Sequence, residues 1–584
     1  MLSSNNEPRV EDNKLARHQI NDVEERGSSS DPSDDSAPDA DTQVGIQNIQ
    51  ATTLAWTTRS LVFAFVMIWL TYFVEGMLSS SLVALTPYVT SNFALHSLTP
   101  TVSILSSVIG GVTNLTLAKI LDVFGRPQGY LFCVVLATVG LIMMAACNNV
   151  ESYAAAQVFQ TVGNNGIQYS LTVLIADTST LRNRGLVQAI ASSPNLITGW
   201  LAGPIASGFL ALGPEGWRWA FGMFTIMVPA ITLPLSGLFL KNYFKAKKLG
   251  LVQSKENHGN ALQSFVYYCR QFDAVGLLLI SAGVALFLLP FNLYTLQARG
   301  WNSPLVISML VVGIVLIIAF VIWEKFFAPV TFIPYSLLLD RTVFGACILS
   351  AILFLSYMLW NSYFTSYLQV VKNLSVENTG YVVQVYTVVS VLCAIGTGAL
   401  IHHSGRFKPI CLYVAIPLSI FGLGLMIHFR NRGDVGYIIM CQIFISIAAG
   451  IVIITDEIAV LAAASHQHVA VCLAVVGMFG NVGGAIGLTV ASAIWQHVMP
   501  EKLLGYLPVE DLENLPMIYA DLTTQLSYPV GSPTRIAIQN AYADTQTVLL
   551  STGTGIWVIG LIGVLMWRDI NVKSVRQQAK GHVW

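Results

Sequence analysis

Between two long apolar segments the chain reads Leu117-Ala-Lys-Ile-Leu-Asp122-Val-Phe-Gly125-Arg126-Pro127. A short polar stretch in that position predicts a tight turn that joins two membrane helices. Gly125 permits a backbone angle that other residues avoid, and Pro127 begins a helix at little cost because a first-turn N–H has no helical partner. A weaker copy, His403-Ser-Gly405-Arg406-Phe-Lys408-Pro409, follows 280 positions later. The same turn used twice, each time after an apolar helix, indicates two repeated halves.

Composition places the chain among the polytopic membrane proteins. Its 584 residues are 54% hydrophobic and only 10% charged, whereas a soluble protein carries about 25% charged residues. The eight cysteines lie in or beside apolar segments and form neither a disulfide framework nor a zinc-binding spacing. The sequence has no Walker A loop, nucleophile elbow or metal-hydrolase motif. It therefore predicts neither an enzyme nor an ATP-driven pump, and we expect no cofactor and no metal site.

Apolar runs of about 20 residues, the length that crosses a bilayer, divide the chain. Residues 1–50 hold eleven acidic and four basic residues and predict a disordered tail without a cleaved signal peptide. After it we expect fourteen spans, at approximately 60–84, 99–119, 129–147, 153–177, 186–211, 219–240, 273–292, 305–324, 342–368, 379–402, 409–428, 435–460, 469–495 and 547–567. With the amino terminus inside, the inner loops and the carboxyl-terminal tail hold nineteen Lys and Arg residues and the outer loops seven. The positive-inside rule therefore predicts that both termini are cytoplasmic.

The first turn resembles the signature between helices 2 and 3 of the major facilitator superfamily, a Gly-x-x-x-Asp-x-x-Gly-Arg-Arg/Lys pattern. The first Gly of that pattern is Ala118 here, and its second basic residue is Pro127. The resemblance implies the all-α facilitator fold. It also implies that the two turns take part in gating, through Asp122, Gly125, Arg126 and Arg406.

The position of the second turn indicates how the spans are grouped. In a twelve-helix facilitator it follows helix 8, but here it follows span 10, so spans 7 and 8 are expected to be an insertion between two six-helix halves. We therefore expect an all-α polytopic membrane protein with 14 transmembrane helices. Its predicted segments are a tail (1–55), the first half (56–240), a cytoplasmic linker (241–272), two inserted helices (273–325), the second half (326–567) and a carboxyl-terminal tail (568–584).

The predicted outer loop, 497–545, is longer than a connection needs. Its aromatic content argues against disorder. We expect a folded lid with a short helix that begins near Ser532 or Thr534. A cover that makes no ligand contact is the alternative. The side chains expected to close on the ligand or to dock on the helix ends are Tyr506, Tyr519 and Tyr528.

Ionisable groups within spans are costly in lipid and indicate function. Glu75 lies near mid-depth of span 1, and Asp456 and Glu457 lie in the inner third of span 12. Each is predicted to take part in proton coupling; a structural hydrogen bond to a neighbouring helix is the alternative. Further residues on spans 1 and 4 are predicted to bind substrate: Tyr72, Asn165, Gln168 and Tyr169.

Span 9 is rich in aromatic residues. Tyr357, Trp360, Asn361 and Phe364 share one helical face. An aromatic wall with hydrogen-bonding groups suits a large organic ligand, so these four residues are predicted to bind substrate. An aromatic belt at the membrane interface is the alternative.

Longer stretches together resemble fungal siderophore-iron transporters. They are Ser91-Asn-Phe-Ala-Leu-His96-Ser-Leu, Ala176-Asp177-Thr-Ser-Thr-Leu-Arg-Asn-Arg184-Gly, Ala464-Ser-His466-Gln-His468-Val-Ala, Gly483-Gly484-Ala-Ile-Gly487, and Ala493-Ile-Trp495 running into Pro500-Glu-Lys-Leu503. The resemblance implies import of intact ferric chelates, such as hydroxamates, by proton symport at the plasma membrane or in endosomal vesicles. The implied partners are a ferric siderophore, protons and the lipid bilayer. No nucleic acid is expected, and the protein is expected to be a monomer.

Two other functions stay open. One is a fourteen-span drug–proton antiporter, which would export its substrate. Such antiporters usually carry an Arg where Gln157 stands, although Gly199-Trp-Leu-Ala-Gly203-Pro204-Ile-Ala-Ser-Gly208 resembles a proton-antiporter motif. The other is a receptor that binds ligand without time-dependent uptake.

Overall fold

The computed structural model is helical, apart from the connecting segments, over the residues that it describes. These are 58–92, 106, 109–111, 113–114, 116–117, 120–121, 125–179, 181–213, 215–248, 267, 270, 273–294, 297, 299–328, 340–432, 434–463, 469–520 and 522–573. Asp122, the tail at 1–55, most of span 2 and most of the linker at 241–272 lie outside them.

We number the helices in chain order. They are α1 Thr58–Asn92, α2 Arg126–Ala146, α3 Val150–Thr178, α4 Leu181–Ala191, α5 Asn195–Leu210, α6 Gly216–Lys248, α7 Ala274–Leu288, α8 Pro290–Leu293, α9 Pro304–Phe326, α10 Arg341–Asn361, α11 Phe364–Val370, α12 Val376–Ser404, α13 Ile416–Arg432, α14 Val435–Ala463, α15 Val469–Tyr506, α16 Leu515–Ala520, α17 Leu522–Ser527, α18 Pro533–Gly555 and α19 Trp557–Met566. Two short helical turns, Lys408–Ile410 and Cys411–Ala415, lead into α13.

Ten helical stretches of the described residues are long and apolar enough to cross a membrane. They correspond to ten of the predicted spans, and the count of fourteen stays a prediction. Span 4 forms α3, which has 29 residues but is less apolar because of its many amide side chains. Span 7 forms α7, which has only 15 residues.

Two spans that we expected to be continuous are interrupted. Span 5 divides into α4 and α5 around Pro194, because proline has no N–H to continue the helical hydrogen bonds. Span 9 divides at Ser362 and Tyr363 into α10 and α11. Both interruptions lie in helices that contribute to the candidate site.

The helices pack as two bundles. In the first, α2 packs against α3 and α6, while α1 packs against α5 and α6. In the second, α10 packs against α15 and α19, and α14 packs against α12 and α13. The bundles meet where α4 and α5 contact α12, and where α4 contacts α14.

One end of the molecule carries Arg126, Arg184 and Arg406. We call it the inner end, because the Lys/Arg bias predicts that it faces the cytoplasm. There the two halves are in close contact. Gly185 of α4 lies against Ile458 of α14, and Gly398 of α12 lies against the backbone of Gly185. A side chain at Gly398 would collide with that backbone, so the small residues permit the inner end to close.

Both predicted turns have the expected backbone geometry. Gly125 precedes α2 with φ 99°, and Gly405 ends α12 with φ 76°. These angles are strained for any residue with a Cβ atom. The second turn is also tied to the segment that follows α19, since the Val572 N–H donates to the Gly405 carbonyl at 2.9 Å and Arg406 pairs with Asn571 as an antiparallel bridge.

The two helices that are predicted to be an insertion lie at the side of the second bundle. α7 and α9 pack against each other, and α7 contacts α15 through Ala285, Leu288 and Ala485. Most of the apolar side chains of α9 are exposed, as expected for a helix that faces lipid. The Trp323 indole donates to the Asp273 carboxylate at 2.8 Å and joins the ends of the pair.

The predicted outer loop is folded and shorter than expected. α15 continues to Tyr506 and α18 begins at Pro533, so the connecting segment is 507–532. Ser532 caps α18 by accepting from the Arg535 N–H at 3.2 Å, which confirms the predicted helix start. The helix is long rather than short, because it runs directly into the last span.

Candidate substrate and proton site

A small cavity with several polar side chains in its wall lies between the two halves near the inner end. Residues of α3, α4 and α14 surround it: Thr172, Ala176, Arg184, Gly185, Gln188, Glu457, Ile458 and Leu461. The cavity volume is about 10 Å³, which is close to the minimum that one water molecule needs. The cavity therefore brings a carboxyl of the second half opposite an amide, a hydroxyl and a guanidinium of the first.

Hydrogen bonds connect the first-half groups beside this cavity. Gln188 Nε2 donates to Thr172 Oγ1 at 3.2 Å and approaches the Tyr72 hydroxyl at 3.5 Å. Tyr72 is also an electrostatic neighbour of Glu457. The structure thus brings together two predicted residues, Tyr72 and Glu457.

The two adjacent acids of α14 point in different directions, because successive residues on a helix are separated by about 100°. Glu457 lines the cavity between the halves. Asp456 is 3% exposed and faces the inside of the second half, where Cys347 and Cys411 are its electrostatic neighbours. Its Oδ1 atom has no hydrogen-bond partner among the described residues.

Glu75 is buried in the first half and is not one of the residues that line the cavity. It is 2% exposed, and neither carboxyl oxygen has a hydrogen-bond partner in the part of the chain that the structure describes. The adjacent Gly76 lies against the side chains of Asn195 and Thr198 on α5. Tyr130 of α2 is an electrostatic neighbour of the Glu75 carboxyl.

The α3 residues that are predicted to bind substrate lie near a row of amide side chains that pack against glycines. Asn165 lies against Gly110, while Asn481 of α15 lies against the adjacent Gly111. Gln168 presents its backbone carbonyl to the Thr172 hydroxyl at 3.0 Å, and Tyr169 is 8% exposed. The adjacent glycines at 110 and 111 therefore contact an amide of each half.

The predicted aromatic wall exists as a cluster in the second half. Tyr357 stacks on Tyr386 with ring centres 4.9 Å apart, and Trp360 lies edge-on to both rings at 5.5 Å. The Asn361 amide donates to the Tyr357 hydroxyl at 3.0 Å. Tyr357 and Asn361 are half-buried, whereas Trp360 and Phe364 are buried.

A buried arginine supports this cluster at the interruption of span 9. Arg430 has no exposed surface, and its guanidinium lies 4.7 Å from the ring centres of both Phe364 and Tyr367. It donates to the Trp360 carbonyl at 3.4 Å. In return, the Tyr367 hydroxyl donates to the Arg430 carbonyl near the end of α13. Each side chain thus satisfies a carbonyl that a helix end leaves free.

Comparison with known proteins identifies the family. Residues 68–329 match the Major Facilitator Superfamily. The chain is 52% identical over 539 residues to MFS siderochrome iron transporter 1 of Ajellomyces capsulatus, covering 92% of this chain and 91% of that protein. It is 43% identical over 562 residues to Siderophore iron transporter mirB of Emericella nidulans, covering 96% and 92%. The chain belongs to the siderophore-iron transporter family of the major facilitator superfamily. It is therefore a membrane transporter rather than an enzyme.

Of the residues predicted to take part in gating, Gly125, Arg126 and Arg406 lie at the inner end, and Asp122 is outside the described residues. Gly125 and Arg126 begin α2. Arg406 has an exposed side chain. Next to it, Lys408 donates to the Leu565 carbonyl at 3.2 Å. These contacts tie the second turn to the end of α19, and the gating role stays a prediction.

The three tyrosines of the predicted outer loop contact other residues of the second half. Tyr506 donates to the Asp544 carboxylate at 2.9 Å on the surface. Tyr519 and Tyr528 are half-buried against the core of the second half. Burial raises the pKa of Tyr519 to about 12, so its phenol keeps its proton at physiological pH.

Three residues beside these clusters, Gln188, Tyr386 and Arg430, are not among the predicted site residues. Gln188 is an amide in an apolar span, and the argument applied to Asn165 and Gln168 would have identified it. Arg430 was assigned to an outer loop, but it lies in the last turn of α13. A basic residue at a span end is typical of a membrane surface, and only the tertiary structure shows that this one is buried.

Proposed function

We propose that this chain imports intact ferric siderophores together with protons across the plasma membrane, into the cytoplasm that holds both termini. Relatives named as siderophore or siderochrome iron transporters support the substrate class, since one of them is 52% identical over 92% of the chain. The observation that carries proton coupling is the position of Glu457. This carboxyl of the second half and the Gln188 amide of the first half line the same small cavity.

The available driving force is sufficient for concentrative import. One proton that enters with the gradient contributes about 2.3 kcal/mol per 100 mV of membrane potential. Because 1.4 kcal/mol corresponds to a tenfold ratio, 100 mV supports an accumulation of about fortyfold.

The aromatic cluster is the proposed contact for the organic shell of the chelate. Iron in a ferric siderophore is enclosed by its ligand, so recognition uses aromatic faces and hydrogen-bonding groups. Tyr357 and Asn361 are half-buried and would touch the ligand first. Trp360 and Phe364 are buried behind them and would contact it when the wall opens.

The proposal is tested by uptake of a doubly labelled siderophore, with iron-55 in the chelate and carbon-14 in the ligand. A yeast strain without its own iron-uptake systems would express the chain. Import of the intact chelate delivers both labels in a fixed ratio, whereas reductive release of iron delivers iron-55 alone. A protonophore and a rise in external pH should both abolish accumulation. Uptake that is insensitive to both would overturn proton symport.

The same cells distinguish the two other functions. A drug–proton antiporter would lower the cell content of its substrate, and the sequence identity to named siderophore transporters does not favour it. A receptor would show saturable binding at 0 °C without further uptake at 30 °C.

A further inference from the structure

Gln188 has a buried atom that the described structure does not satisfy. Its Nε2 atom donates to Thr172, while its Oε1 atom is buried and has no hydrogen-bond partner among the described residues. The amide orientation is fixed by its neighbour, because the Thr172 hydroxyl donates its own hydrogen to the Gln168 carbonyl at 3.0 Å and must accept from Gln188. A buried acceptor without a donor is unfavourable.

The group opposite can supply the missing donor in one protonation state only. Glu457 lines the same cavity, from the other half of the molecule. An ionised carboxylate only accepts hydrogen bonds, so it would repel the Gln188 carbonyl oxygen. A protonated carboxyl has one O–H donor, and the space between the two residues holds about one water.

We propose that Gln188 is a positioning residue that accepts a hydrogen bond from protonated Glu457, directly or through one water, and that this bond latches the inner end closed. The latch joins α4 to α14, the two helices whose Gly185 and Ile458 are in contact there. Closure therefore binds a proton, and loss of that proton releases the halves. The inference rests on the proposed proton symport and specifies how Glu457 would control access.

Other charged and titratable groups near Glu457 act on the same equilibrium. Arg184 of α4 lines the cavity and favours the ionised carboxylate, while two of its hydrogen bonds go to the Ala176 and Ser179 carbonyls. Tyr72 of α1 is an electrostatic neighbour of Glu457. Asp456 precedes Glu457 on α14 and is its electrostatic neighbour. The sign of the pH dependence therefore decides between Gln188 and Arg184 as the latch partner.

The experiment measures access to the inner end without substrate. The reporter is Leu461→Cys, which places a smaller side chain in the cavity wall one turn from Glu457. A maleimide labels the full chain in lipid nanodiscs, where both faces are accessible, at pH 5.5 and 7.5. The chain without Leu461→Cys gives the background from the native cysteines. Each rate is divided by that of the denatured protein at the same pH, which removes the pH dependence of the thiol itself.

We expect labelling of the reporter to be at least threefold slower at pH 5.5 than at pH 7.5. With Glu457→Gln it should be slow at both pH values, because an amide N–H donates to Gln188 regardless of pH. With Gln188→Leu it should be fast at both.

Three results would overturn the latch. One is an unchanged pH difference in Gln188→Leu, and another is a pH difference that persists in Glu457→Gln. The third is slower labelling at pH 7.5 in the parent, which would assign closure to Arg184 and ionised Glu457. The experiment needs neither siderophore nor gradient. A chain that shows the expected labelling but imports no siderophore would refute the proposed substrate and leave the latch intact.

Discussion

Glu75 is a buried acid whose two carboxyl oxygens have no hydrogen-bond partner among the described residues. A permanently ionised carboxyl in that position is costly, whereas a protonated one is not. Glu75→Gln keeps the shape and hydrogen-bonding capacity but cannot titrate. We expect the variant to bind ferric siderophore and to lose concentrative uptake, so that the steady-state ratio of internal to external ligand falls towards one.

The matched control for this variant is Glu151→Gln, because Glu151 is exposed in the first turn of α3. It should leave accumulation unchanged. The measurements are surface level, binding at 0 °C and accumulation over external pH 4.5–7.5. Normal accumulation with the parent's pH dependence in Glu75→Gln would assign this carboxyl a structural role.

The sequence predicts which ionisable side chains are costly to place in the membrane, but not the direction in which each side chain points. The cost of a charge in lipid identified Glu75, Asp456 and Glu457. Whether a carboxyl faces its own bundle or the other half depends on the rotation of the helix, which packing sets. This is why only Glu457 of the pair lines the cavity.

Arg430 acts on a whole element, because it connects α10, α11 and α13 at the interruption of span 9. Its planar guanidinium covers two rings and donates to the Trp360 carbonyl. Lysine keeps the charge but has no planar face. Arg430→Lys would leave a buried carbonyl unsatisfied, at a cost of about 1–3 kcal/mol. We therefore expect a lower melting temperature in detergent and a higher half-saturation constant for siderophore.

Arg218→Lys is the control for this loss. Arg218 also donates to two carbonyls, of Ala145 and Cys147, and lies 4.4 Å from the ring centre of Trp217. Its side chain is 21% exposed, so water can replace the lost contacts. Equal losses of melting temperature in the two variants would show that burial at the interruption of α10 and α11 is not important.

Helix ends and turns were predicted best where residues that are adjacent in sequence determine them. The glycine turns and the start of α18 depend on residues that are adjacent in sequence, and both are as expected. The interruption at Ser362 was not predicted, since no proline marks it. The carbonyl that it exposes is satisfied by Arg430, which is 70 residues away from Trp360.

In the whole molecule, the outer segment 507–532 belongs structurally to the second half. Gln525 is its anchor: Nε2 donates to the Ile518 carbonyl at 2.7 Å, and Oε1 accepts from the Tyr542 hydroxyl of α18 at 2.8 Å. Tyr519 is an electrostatic neighbour of Tyr363, whose ring stacks on Trp495 with centres 4.0 Å apart. A segment held in this way would move with the second half when the halves rock.

We predict that this segment is a lid that retains ferric siderophore at the outer mouth. Replacing residues 508–523 with a Gly/Ser linker removes Tyr519 but keeps Gln525 and its bonds to α18. The variant should reach the surface normally and show a half-saturation constant raised at least tenfold, because an ordered surface that contacts the ligand is replaced by a mobile chain. Surface level and initial uptake are measured separately. Tyr519→Leu with Tyr528→Leu provides the same test without the deletion, should the linker lower the surface level. An unchanged half-saturation constant at a normal surface level, in either variant, would show that the segment covers the helix ends without touching the ligand.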